Sequence, residues 1–167
     1  MSTIPATEVQ RLQNALPFWL SLGMVPVAIL GALLGGATVA LLPVYSWVMF
    51  SVLDALFGLN TDNPDPQTPE ARLFWYRLVT LIWVPIQFAL LCWMLWYVPQ
   101  AAHLGLLEKI VLFFGMGVVS GTIGINYAHE LMHQKAAAER GLGDLLLAMV
   151  LYSHFRSEHL RVHHLYV

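Results

Sequence analysis

The chain has 167 residues, of which 58% are hydrophobic and only 11% charged, with a formal net charge of −2. Soluble domains carry about 25% charged residues, so a soluble domain is excluded. Disorder, collagen-like repeats and a nucleic-acid binder, which would need a basic surface, are excluded with it. The single cysteine, Cys92, rules out an internal disulfide and any cysteine-based zinc or iron–sulfur site, and reads as a packing residue in mid-span.

Residues 1–14 are mixed and polar, with Arg11 the only basic residue, unlike the basic start of a secretory signal peptide. From Leu16 to Leu53 no residue is charged. That stretch reads as two membrane spans, 16–34 and 37–57, parted at Gly35-Gly36, where a turn uses the conformational freedom of glycine. Asp54, near the end of the second span, reads as a helix-end or loop-facing residue. Residues 59–71 (LNTDNPDPQTPEA) form a solvated loop.

A third span follows over 73–98, uncharged after Arg77, with Pro85 inside it and Trp75-Tyr76 and Trp96-Tyr97 as interfacial anchors. After PQAAHLG, a fourth runs over 109–128, where Gly117 and Gly121 at GxxxG spacing, then Gly124, are expected to offer a small face for close helix packing. Leu142–Phe155 is apolar but too short to span, and is expected at the interface or packed under the bundle. Trp47, Trp83 and Phe88 read as lipid-facing or core residues, with a channel lining as the alternative. The expected fold is therefore all-α and integral to a membrane. It has about four transmembrane helices in a single membrane domain over 1–167, plus a short cytoplasmic or interfacial helical segment rich in histidine.

Orientation follows from the basic residues. With the N-terminus inside, Arg11, Arg72, Arg77, Lys135, Arg140, Arg156 and Arg161 are cytoplasmic and only Lys109 falls near an outer end. This positive-inside bias puts the histidine-rich end in the cytoplasm.

Six of the seven histidines lie at or beyond His129. The fourth span runs into NYAHELMHQK, where His129 and His133 are four apart and share one helix face. His159, His163 and His164 follow in HFRSEHLRVHHLYV, the first two again an i,i+4 pair, with His164 pointing elsewhere, towards a possible second metal. Five imidazoles on two membrane-proximal segments can hold one or two ions; imidazole suits zinc, iron, copper and nickel alike. Glu130 and Glu158, each adjacent to one of these histidines, are either surface charges or groups that orient an imidazole through its other nitrogen. His154 reads as a structural neighbour, and His103, on the opposite side, as a polar residue near the headgroups. HELMH also fits HExxH, in which two histidines bind zinc and the glutamate is a general base. An intramembrane zinc protease leaves the second histidine cluster unexplained. A non-catalytic metal-binding membrane protein is the remaining alternative.

At these motifs the sequence resembles the integral-membrane di-iron desaturases and hydroxylases, and within them the bacterial alkane hydroxylases (alkane 1-monooxygenases) and xylene monooxygenases. His129-Glu130-Leu131-Met132-His133 fits HELxHK, with Gln134 displacing the lysine to Lys135. Glu158-His159-Leu160-Arg161-Val162-His163-His164 fits EHxxGHH, with Val162 in place of glycine. The likeness extends through LDALFG (53–58), Asn63-Pro64, YRLVTLIWVP (76–85) and HF (154–155).

The resemblance implies that His129, His133, His159, His163 and His164 ligate two non-haem iron ions. It further implies O2-dependent hydroxylation of the terminal carbon of an alkane or related hydrocarbon taken from the bilayer. Electrons would come from a rubredoxin or ferredoxin with its reductase, attracted in part by Lys135, Arg140, Arg156 and Arg161. A bacterial-type inner membrane is the implied location, with the histidines facing the cytoplasm. A fatty-acid desaturase or lipid hydroxylase shares the metal and fold. The family's further motifs, LQRHSDHH and NYxEHYGL, do not occur before Val167. The chain is therefore expected to be the N-terminal part of a longer protein, inactive alone.

Overall fold

The computed structural model describes residues 7–49, 51–52, 55 and 73–159, and these are helical apart from short connections, with no strand. Asp54, His163, His164, the solvated loop and the far part of the second expected span lie outside the described residues.

Three helical rods are long and apolar enough to cross a membrane: α1 (Glu8–Leu34), α3 (Phe74–Gln100) and α4 (Leu106–Met132). Between the first two lies α2 (Gly36–Val48), the described part of the second expected span, which is shorter. Helix α1 begins eight residues before the expected span because Thr7 and Gln10 form a capping box. The Gln10 amide donates to the Thr7 hydroxyl, and the Gln10 side chain accepts from the Thr7 amide at 2.8 Å. A 3₁₀ turn at Leu20–Gly23 interrupts the rod. The break between α1 and α2 falls where expected, at Gly35 and Gly36, both with positive φ (66° and 60°). At that end of the bundle the Glu108 carboxylate accepts from the backbone amides of Gly36 and Gly105, joining the two turns there and starting α4 earlier than the hydropathy alone suggests.

Helix α3 runs unbroken through Pro85. Its first turn meets α1 through Phe18 and Tyr76, with ring centroids 5.2 Å apart, and through Trp19 Nε1, which donates to the Trp75 carbonyl at 3.2 Å. The core lies between the rods around Met24, Ala28, Trp83, Met94, Leu112 and Met116. The expected GxxxG face is not where the close packing occurs: a side chain at Gly117 or Gly121 would meet nothing within 4 Å. Of the expected small face Gly124 does pack closely, against Gln87, and Gly115, outside it, closes on Leu42 and Pro43. GxxxG spacing marks a small face, but at Gly117 and Gly121 the rod turns that face away from its neighbours among the described residues. A π turn at Ser120–Gly124 takes up one extra residue within the rod.

Beyond α4 the chain folds back as α5 (Ala137–Met149), which packs under the bundle. Leu146 and Leu147 are fully buried there, and Gly143 lies directly on the backbone of α4 at Ala128 and Met132. A short α6 (Phe155–Glu158) closes the described chain. Arg11, Arg77, Lys135, Arg140 and Arg156 sit on the end of the bundle where α1 and α3 begin and α4 finishes, and Lys109 on the other end.

Candidate metal centre

The end of α4 is finished with care. His133 is its C-cap residue, and the Arg140 guanidinium donates to the carbonyl of Gln134 at 3.0 Å and to that of Lys135. The connection that leaves the rod is thereby tied to the start of α5. Arg77 on α3 pairs with Glu139 at the start of α5, and Arg156 on α6 pairs with Asp144 on α5. The first ties α5 to α3 and the second ties α6 to α5, while Gly143 seats α5 on the rod that carries the first histidine pair.

That bracing brings His159 back to His129 and His133. His159 Nε2 lies 2.9 Å from His129 Nε2 and 3.3 Å from His133 Nε2, and ligand atoms of all three lie within 4.8 Å of one another. Nitrogens about 2.0–2.1 Å from a common metal ion are about 2.9–3.4 Å apart for angles between octahedral and tetrahedral. The two separations to His159 fall in that range, and the whole set lies within 4.8 Å. Three neutral nitrogen donors of one kind fit a borderline first-row ion, iron among them. Of the five histidines expected to act together, the structure converges these three; His163 and His164 lie outside the described residues.

The surroundings are aromatic. Phe155 stacks on the His159 ring (5.3 Å between centroids, 28° between planes) and on Tyr152 (5.2 Å, 25°), and lies 6.4 Å from His129. The sequence marks Phe155 only as part of the HF pair at 154–155; it precedes His159 by one helical turn and so shares its face. Arg140, which closes the end of α4, is legible there only as a basic residue.

The two glutamates stand apart from the convergent nitrogens. Glu130 is exposed and its carboxylate is not among the clustered groups, while the Glu158 carboxylate lies 4.0 Å from His154 Nε2, both exposed. His154 is a neighbour, edge-on to Tyr152. His103 is at the opposite end of the bundle, with Nε2 3.1 Å from the Ala32 carbonyl.

A cavity of about 690 Å³ opens beside His129, bounded by Phe18 and Ser21 of α1, Tyr76 and Thr80 of α3, and Asn126 and Tyr127 of α4. Tyr127 shapes its floor: its hydroxyl is 3.0 Å from the Ser21 hydroxyl and donates to the Phe18 carbonyl at 3.1 Å. Trp47, Trp83 and Phe88 do not line it; Trp83 is in the core, and Trp47 and Phe88 are exposed on the outside of the bundle.

No protein-family model matches the chain. Alkane 1-monooxygenase 1 of Pseudomonas aeruginosa is 39% identical over 119 residues, covering 70% of this chain and 31% of that protein. The alkane 1-monooxygenase of Pseudomonas putida is 35% identical over 115 residues (68% and 28%). Alkane 1-monooxygenase 2 of Alcanivorax borkumensis is 33% identical over 143 residues (74% and 35%). The chain thus spans about a third of the length of the curated relatives it matches. Helices fit to cross a membrane, a histidine cluster at their end and these sequence matches agree: the chain is a homologue of the alkane 1-monooxygenases.

Proposed function

We propose that the chain is part of a membrane di-iron monooxygenase that hydroxylates the terminal carbon of alkanes or related hydrocarbons. The observation that carries this reading is the convergence of His129, His133 and His159 at the end of a membrane-length helix in a homologue of the alkane 1-monooxygenases. His129, His133, His159, His163 and His164 would hold the two iron ions. When bound, such a pair supplies the activation of O2 and the oxidising power for an inert C–H bond. The chain's own residues do the rest. The imidazoles present Nε2 lone pairs from two arms, and the stacked Phe155 and Tyr152 hold the His159 ring and keep water from its face. The cavity beside His129, between α1, α3 and α4, would seat the hydrocarbon next to the cluster, with Phe18, Tyr76 and Ile123 as its apolar wall.

The clustering of Arg11, Arg77, Lys135, Arg140 and Arg156 at the histidine end supports a cytoplasmic orientation in an inner membrane. A soluble rubredoxin or ferredoxin, reduced by its reductase, would deliver electrons on that side. The zinc-protease reading is not favoured, because the matched relatives are named as monooxygenases. The test is metal and product analysis of membranes containing the complete protein of which this chain is part, with octane, O2, rubredoxin, its reductase and NADH. Iron in the protein and 1-octanol as product are expected. Zinc without iron, or an alkene in place of the alcohol, would overturn the proposal.

A further inference from the structure

Gln87 lies in the middle of α3 and has no exposed surface. A polar side chain at that depth of a membrane helix is expensive unless it is bonded. Its Oε1 accepts from Trp83 Nε1 at 2.6 Å, and its Nε2 is 3.9 Å from Met149 Sδ, a weak acceptor. On another side it fills the space at Gly124, where a methyl group would come within 2.6 Å of Oε1 and 2.9 Å of Nε2. One buried amide therefore touches the base of both arms of the histidine cluster. Gly124 leads along α4 to His129 and His133, and Met149, the last residue of α5, leads to His159.

We propose that Gln87 is a positioning residue that sets the spacing of the two arms and so the geometry of the His129–His133–His159 cluster; this rests on the metal reading above. The lever is short and stiff. From Gly124 to His129 is about 7.5 Å of continuous helix at about 1.5 Å per residue, so a lateral shift at the base arrives at the imidazoles undiminished. Metal–nitrogen distances tolerate only about 0.2 Å. Trp83, which Gln87 bonds, also stands edge-on to Tyr127 (6.1 Å, 90°), two residues before His129, giving the amide a second route to the same rod. An apolar side chain of equal length fills the space but leaves Trp83 and Met149 unheld.

The test uses cobalt(II) alone, added to the 167-residue chain in lipid nanodiscs, with affinity and d–d absorption read against the thermal unfolding midpoint. Gln87→Met keeps the volume and loses the amide. It is expected to bind cobalt roughly tenfold more weakly, with altered d–d bands, and to lower the midpoint only by the one Trp83 indole N–H that it strands. Gly124→Ala, which displaces the amide by contact, is expected to weaken cobalt binding in the parent and to be silent in Gln87→Ala, where the space is vacant. Parental affinity and spectrum in Gln87→Met, or an effect of Gly124→Ala that persists undiminished in Gln87→Ala, overturns the positioning role alone. If the unsubstituted chain binds no cobalt, or binds it as well in His129→Ala/His133→Ala, the metal reading itself falls.

Discussion

Two glycines on adjacent helices should respond to the same substitution with opposite signs. At Gly143 a methyl group would sit 3.0 Å from the Ala128 carbonyl oxygen, 3.2 Å from Leu131 Cβ and 3.4 Å from the Met132 amide nitrogen. The first and last of these belong to the backbone of the rod, so no side chain can rotate out of the way and α5 must lift. Overpacking of this kind costs about 1–3 kcal/mol, against a gain of about 1 kcal/mol from replacing a helical glycine by alanine. Gly143→Ala is therefore expected to be neutral to about 2 kcal/mol destabilising, whereas Gly117→Ala, where a side chain meets nothing within 4 Å, keeps the whole gain of about 1 kcal/mol. The two variants should differ by about 1–3 kcal/mol, or roughly 2–12 °C in unfolding midpoint for a chain of this size. Helical circular dichroism of both proteins in one detergent reads this directly. Because the lifted contact lies on the turn between His129 and His133, Gly143→Ala should also weaken cobalt binding while Gly117→Ala leaves it alone. A midpoint for Gly143→Ala equal to or above that of Gly117→Ala would refute the reasoning.

Alanine at His129, His133 or His159 is expected to lower cobalt(II) affinity at least 100-fold, while His154→Ala, outside the cluster, stays within about threefold of the parent; isothermal titration calorimetry distinguishes them. Arg77→Ala strands Glu139, whose side chain is only 13% exposed, and should destabilise by about 2 kcal/mol, with Arg77→Ala/Glu139→Gln recovering part of the loss in chemical denaturation. Tyr127→Phe removes the hydroxyl shared with Ser21 and Phe18 but keeps the ring against Trp83, so a loss of about 1 kcal/mol is expected in the same assay, with no change in helicity.

Hydropathy placed the long rods because an unbroken apolar run has few alternatives. Leu73 to Val98 became Phe74–Gln100, and the Gly35-Gly36 break holds because both residues adopt positive φ. Local hydrogen bonding moved the ends. Thr7 with Gln10, and Glu108 with Gly105, extend two rods into segments whose polarity had marked them as connections. The pairing of His129 with His133 is local and was legible from a four-residue spacing. The return of His159 was not, since it depends on ion pairs between Arg77 and Glu139 and between Arg156 and Asp144, each linking residues distant in the chain. GxxxG misled for the same reason: spacing reports which residues share a face, not which way the face turns. The importance of Gln87 was hidden in a run of apolar neighbours, where only its polarity distinguished it.

The five-residue turn at Ser120–Gly124 takes up one residue more than an α turn within the same rod. A π turn spreads five residues over about one revolution, and an α-helix, at about 100° per residue, needs about four. Deleting one residue inside the turn would therefore leave His129 and His133 close to the side that meets His159. Deleting one from residues 125–128, where the pitch is ordinary α, would carry both about 100° around the axis and off that side, although every ligand would still be encoded.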